Sequence, residues 1–170
     1  MATHLHRKRQ ESMIAAEERQ ISIAQWHTLV QRGTVLPMCI PLEGDSMRPL
    51  IRRNRDHIMI VPLTRPLKLG DVVLFEKPSG RYVAHRVRRI KDSYIQTLGD
   101  RCWNPDQWIA PADVLGVAVM VERDGLYIPL DRPLARALGR LWMAWLPLRR
   151  GYWRCRALAG KCLQKMRCRW

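Results

Sequence analysis

The stretch "DVVLFEKPSGRYVAHRV", Asp71 to Val87, decides how the rest of the chain is read. Two runs rich in Val, Phe and Tyr flank Pro78, Ser79 and Gly80. The runs have the composition of strands and the middle has that of a turn. In the second run Val83, His85 and Val87 share one face of a period-2 strand. An imidazole between two valines faces a core or a cleft, and there it needs a hydrogen-bond partner. One reading is a core histidine satisfied by a backbone carbonyl. The other is a base beside a reactive group.

Working outward, the same signature recurs. "TVLPMCIPL" (34–42), "HIMIVPL" (57–63), "SYIQTL" (93–98), "VLGVAVMVE" (114–122) and "LYIPL" (126–130) are short, Val/Ile/Tyr-rich and bounded by turn residues. "RDG" at Arg123–Gly125 joins the last two as a hairpin. Many short strands at close spacing predict a mainly β fold over residues 34–130: a small, coiled, barrel-like antiparallel sheet.

Both ends differ from this middle. Residues 1–33 are expected to be basic and helical. "SIAQ" at Ser22–Gln25 is a capping box, Ile23, Trp26 and Val30 follow at helical spacing, and Gly33 ends the helix. Residues 131–170 form a third segment. Asp131 is the expected N-cap and Pro133 stands in the first turn. Leu134, Leu138, Leu141, Trp142 and Trp145 are expected on one face, with Arg132, Arg136 and Arg140 off it. Pro147 and Gly151 break this helix, and Ala159, Leu163, Met166 and Trp170 suggest a second amphipathic one.

The chain of 170 residues is 47% hydrophobic, enough for a packed core, and carries a formal charge of +15. That charge predicts an anionic partner. Eleven basic residues against the single acid Asp131 fall in 131–170, beside Trp and Leu. This is the pattern of an interfacial helix on an anionic membrane surface; the bland alternative packs the tryptophans on the β domain. Nucleic acid is disfavoured, because 33 residues are too few for a helix-turn-helix domain ahead of the sheet. The five cysteines show no CxxC spacing, so neither a disulfide framework nor a zinc site is expected, and no cofactor. The start is charged and has no apolar h-region, and the longest uncharged run near it is about half a membrane span. The expectation is a cytoplasmic protein, attached at most to the inner membrane surface.

"EGDSMRPL", Glu43–Leu50, supplies a group for His85 to act on. A serine hydroxyl is a poor nucleophile until a base takes its proton. Of the five histidines, His4 and His6 lie in the basic start, His27 on the first helix and His57 at the opening of a strand, which leaves His85 best placed. "LGDRCWNPD" adds Asp100 and Asp106. An aspartate beside the base would fix its tautomer; as loop residues, both could equally cap turns.

Taken in order, "EGDSMRPLI", "KLGDVVLF", "VAHRVRRI", "IQTLGDRCWNPD" and "VLGVAVMVERDG" resemble the boxes of type I signal peptidases, in the LexA/signal peptidase superfamily of serine endopeptidases. The resemblance covers roughly Pro41 to Gly125, and "HRV" is similar to the subtype with histidine as base. It implies Ser46 as nucleophile, His85 as general base, and Asp100 and Asp106 as the family acids, either of which could support His85. It also implies Asp45 and Met47 as substrate-contacting positions and the Ser46 N–H as an oxyanion donor. Gly44 stands where some members carry an oxyanion-holding serine. Two departures are the absence of a membrane-spanning helix and "PLI" after Arg48 in place of "PTL". The implied activity is cleavage of a leader, signal or precursor peptide. The competing readings are a catalytically inactive binding relative and a self-cleaving LexA-like regulator. A histidine base predicts activity that falls below roughly pH 6 to 7; Lys77 or Lys91 as base would need a strongly lowered pKa.

Overall fold

The Asp71–Val87 stretch folds as an antiparallel pair, with Val73 opposite His85 and Phe75 opposite Val83. Its turn closes through Lys77 N–H to Arg81 O (2.9 Å) and Gly80 N–H to Lys77 O (2.8 Å). Gly80 has φ +75°, a conformation that glycine adopts without steric cost. The structure is a computed structural model and describes residues 22–145.

Around this pair stand α1 (Ile23–Gln31), β1 (Met38–Pro41), β2 (Asp56–Val61), β3 (Val72–Glu76), β4 (Tyr82–Lys91), β5 (Tyr94–Leu98), β6 (Trp108–Ile109), β7 (Val114–Arg123) and β8 (Leu126–Pro129). A second helix, α2, covers 133–145. The eight strands form one antiparallel sheet in the order β1-β2-β7-β3-β4-β5-β6, and β8 also pairs with β7. The expected mainly β architecture is therefore present. The sheet is not a closed barrel among the described residues, because β1 and β6 end it as unpaired edges. Bulges at Met59/Ile60, Leu74/Phe75 and Val87/Arg89 bend it.

Both faces of the sheet are covered. Ile58, Ile60, Val72, Leu74, Ala84 and Ala118 form one apolar cluster with Trp26, Met47 and Ile51. Val73, Phe75, Val87, Ile95, Val114 and Val117 form the other. His85 belongs by strand parity to the second face, and Arg86 to the first.

The Ser22–Gln25 capping box is formed in both directions, at 3.2 and 2.9 Å. It starts α1 so that Trp26 is buried and its Nε1 donates to Leu36 O at 2.8 Å. Gly116 on β7 makes room: a Cβ there would stand 2.8 Å from the Trp26 ring. Truncating such a buried tryptophan costs about 3–5 kcal/mol.

The second helix corrects two expectations. Its first backbone bond runs from Arg136 N–H to Arg132 O (3.1 Å), so Arg132 is the N-cap. Asp131 lies one residue outside and offers its carbonyl to Arg136 Nη1 at 2.6 Å. Trp142 does not share the exposed face of Leu134, Leu138, Leu141 and Trp145. It turns to the sheet and donates Nε1–H to Asp100 O at 2.8 Å. The expectations for residues 1–21 and 146–170, including the second amphipathic helix, lie outside the described residues. Among the described residues no helix is long and apolar enough to cross a membrane.

Candidate active site

Ser46 stands in the irregular segment between β1 and β2. Two apolar side chains fix that segment from below, Met47 at 1% exposure and Ile51 at 0%. Ile51 N–H donates to Met47 O at 2.9 Å, and Arg101 N–H donates to Ser46 O at 2.7 Å. Ser46 is thus held between a core anchor and the loop after β5. Met47 does not line the cleft as expected. It packs in the core cluster and seats the loop.

The far end of the segment is fastened by Asp56, whose side chain is fully buried. Its carboxylate accepts from Arg52 N–H (2.8 Å), Arg52 Nε (3.0 Å) and Arg123 Nη2 (2.6 Å). Arg123 Nη2 also reaches Leu50 O at 2.7 Å. Burial alone would raise this carboxyl, but the hydrogen bonds from Arg123 and Arg52 outweigh it and hold its pKa at about 2.

His85 lies at 4% exposure on β4, edge-on to Phe75 with ring centroids 6.2 Å apart. Its Nδ1 is 2.5 Å from Asp106 Oδ2. Asp106 also accepts from Thr97 Oγ1 at 2.8 Å and from Lys77 Nζ at 2.7 Å on its other oxygen. Burial alone would raise the Asp106 carboxyl, but His85 and Lys77 overcome this and hold its pKa at about 2. An ionised carboxylate only accepts, so Nδ1 carries the proton and neutral His85 presents a bare Nε2. Of the two aspartates that the sequence left open, the partner of His85 is Asp106.

Asp100 serves Arg86. The guanidinium binds it in bidentate fashion, Nε to Oδ1 at 2.9 Å and Nη2 to Oδ2 at 2.8 Å, with both side chains buried. Arg86 Nη1 donates to Gly70 O at 2.9 Å. Gly139 of α2 seals this ion pair, because a Cβ there would lie 2.5 Å from the guanidinium carbon. Asp100 is a structural acid, and it ties the helix to the strand that carries His85.

Gly99 joins the halves of the site. The β4–β5 register pairs Arg86 with Leu98, and one step further along it His85 faces Gly99. A Cβ on Gly99 would stand 2.8 Å from Ser46 O, 3.0 Å from Ser46 Cβ and 2.7 Å from Cys102 Sγ. The serine backbone therefore lies directly on the residue across from the histidine. No hydrogen bond joins Ser46 Oγ to His85 among the described residues; such contacts are often long without substrate and tighten in the complex.

Ser46 opens onto a cleft of about 530 Å³ lined by Asp45, Ser46, Arg101, Cys102, Trp103 and Asn104. Asp45 sits at its rim with Arg48 at 3.5 Å and Arg101 at 4.0 Å. Burial, with the charge of Asp106, pushes the Cys102 thiol up. A Cβ built on Gly44 would be 4.0 Å from Ser46 Oγ, so the position that lacks a hydroxyl here adjoins the serine side chain. Among the described residues no three His, Cys, Asp or Glu side chains gather to hold a metal ion.

Sequence reasoning missed Thr97, Gly99 and Cys102, and named Lys77 only as a possible base. Thr97 was within reach: strand alternation puts it on the face of Ile95, and the hydroxyl there had no other evident use. Comparison of the chain with protein-family models gives no match, and none is found among curated proteins.

Proposed function

We propose that the protein is a serine endopeptidase of the LexA/signal peptidase type, with Ser46 as nucleophile, His85 as general base and Asp106 as the acid that orients it. One observation carries the reading: His85 Nδ1 is bonded to the ionised Asp106, and Ser46, which packs on Gly99 at the end of the neighbouring strand, opens onto the cleft. The open, bulged antiparallel sheet is compatible with that superfamily.

The chemistry follows from the protonation states. Ser46 Oγ attacks the scissile carbonyl carbon while His85 Nε2 takes its proton. The imidazolium is stabilised by Asp106, and the carbonyl oxygen becomes an oxyanion. Ser46 N–H donates no hydrogen bond to another described residue, which leaves it free to serve that oxyanion. His85 then gives its proton to the departing amine as the C–N bond breaks, leaving an acyl-serine. Water, deprotonated by the same imidazole, adds to the ester carbon and releases the acid and Ser46. Asp106 keeps its charge throughout, so the proton shuttles between Ser46, His85 and the leaving group.

The substrate class implied is a leader, signal or precursor peptide, read in an extended form along the open cleft. The test uses precursor proteins from neighbouring genes with wild type, Ser46→Ala and His85→Ala. Cleavage by wild type alone is expected. Equal cleavage by all three would exclude the reading.

A further inference from the structure

The helix α2 presents two faces, of which one is used. Gly139 packs on Arg86, Arg136 Nη1 lies 3.5 Å from Asp71 Oδ1, and Trp142 bonds Asp100 O. The opposite side carries Leu134 at 72% exposure, Leu138 at 56%, Leu141 at 67% and Trp145 at 56%. At 100° per residue these four fall within about 60° of one another on the helical wheel. Four large apolar side chains in a continuous row, on a helix whose docked face is already satisfied, make a built apolar stripe rather than scattered surface residues.

We propose that this stripe is a docking surface for an anionic lipid bilayer, on which α2 lies in the plane of the interface. Charge selects the occupant. Arg132 and Arg140 are exposed on the same helix, and the sequence from 131 to 170 contains eleven basic residues and one acid. A second copy of the chain carries the same +15 charge and is repelled. Nucleic acid would match the charge but has no use for a leucine row. An anionic bilayer answers both features, with acyl boundary for the leucines and the tryptophan and phosphate headgroups for the arginines. Each basic residue near such a surface strengthens binding by roughly fivefold. Among the described residues no helix is long and apolar enough to cross a membrane, and a row of apolar side chains along one face, with arginines off it, suits a helix lying in the plane of the interface. The inference does not rest on the peptidase reading, because binding requires no catalysis.

The experiment sediments the full chain, carrying Ser46→Ala so that no cleavage intervenes, with two kinds of vesicle. One is phosphatidylcholine alone and the other is phosphatidylcholine mixed with phosphatidylglycerol. Binding to the anionic vesicles is expected, weaker by roughly tenfold or more on the neutral ones. The paired change Leu138→Glu with Leu141→Glu, at two exposed sites, is expected to weaken anionic binding by a further tenfold or more with an unchanged melting curve. A second pair, Leu134→Gln with Trp145→Gln, repeats the test if the first impairs folding. The proposal is overturned if wild-type residues 134–145 and either folded variant bind equally. It is also overturned if neither vesicle binds, or if light scattering shows a dimer that the paired changes dissociate.

Discussion

Gly99 lies against Ser46 so closely that a methyl group on it would stand 3.0 Å from Ser46 Cβ and 2.8 Å from Ser46 O. Neither Ser46 O nor Ser46 Cβ can be moved aside by rotating a side chain. Gly99→Ala should therefore push the serine away from His85. Overpacking of this kind costs about 1–3 kcal/mol of stability. A small displacement of a nucleophile costs far more in rate, roughly a hundredfold. Steady-state kinetics beside a thermal melt separates the two effects. A variant with wild-type kcat would show that Gly99 does not position Ser46.

The two aspartates of "GDRCWNPD" should fail in opposite ways. Asp106→Asn leaves a group that no longer requires the proton on Nδ1, so the imidazole loses its productive tautomer. The rate is expected to fall by up to roughly 10⁴-fold while the fold survives. Asp100→Asn leaves the Arg86 guanidinium buried against half a partner, which costs about 3–5 kcal/mol. Its activity, measured well below its melting temperature, should stay within a few-fold of wild type. The reverse assignment of rate loss and stability loss would show that the site is read wrongly.

Lys77 shares Asp106 with His85, and its charge opposes the formation of the imidazolium. Lys77→Met removes that opposition. The acid limb of the pH–rate profile is then expected at higher pH. Lys77→Arg, which keeps the charge, should leave the limb nearer its original place. In the wild type the Asp106 carboxyl titrates at about 2, well below that limb. Superimposable wild-type and Lys77→Met profiles would remove Lys77 from the account.

Much of this arrangement was legible in the sequence, and the exceptions have physical causes. Seven of the strands announced themselves by composition, as short Val-, Ile- and Tyr-rich runs between turn residues. β6 was not seen: Trp108–Ile109 is too short for any period, and pairing with β5 alone defines it. Barrel closure was expected from strand count, but closure depends on the meeting of the two edge strands, which composition does not encode. His85 stood out because a titratable residue broke an apolar face. Choosing between Asp100 and Asp106 was beyond reach, since the choice depends on Arg86, one residue along and on the other face of β4. Met47 was expected at the cleft and is buried in the core, because a methionine beside Ser46 looks the same in sequence whether it points up to the cleft or down to the core.

Asp56 fastens the end of the nucleophile segment, and its titration gives a stability signature. Its folded pKa is about 2 against an ordinary 3.8, so the stabilisation is fully present above about pH 4 and is lost as pH falls towards 2. The linkage corresponds to about 2 kcal/mol. Asp56→Asn should lower stability by about 3 kcal/mol at neutral pH, because Arg123 loses its counter-charge and Arg52 keeps only Asp124. It should also flatten the acid limb of the stability curve. Denaturant melts at neutral pH and near pH 3 measure both. A variant as acid-sensitive as wild type would assign that sensitivity to another carboxylate.

The central claim is that Ser46 attacks peptide bonds with His85 as its base. The most direct measurement incubates wild type, Ser46→Ala and His85→Ala with one complex peptide mixture and reads new termini by mass spectrometry. The account predicts a set of new termini with wild type that is missing from both variants. The same termini with all three proteins, or none with wild type, would contradict it.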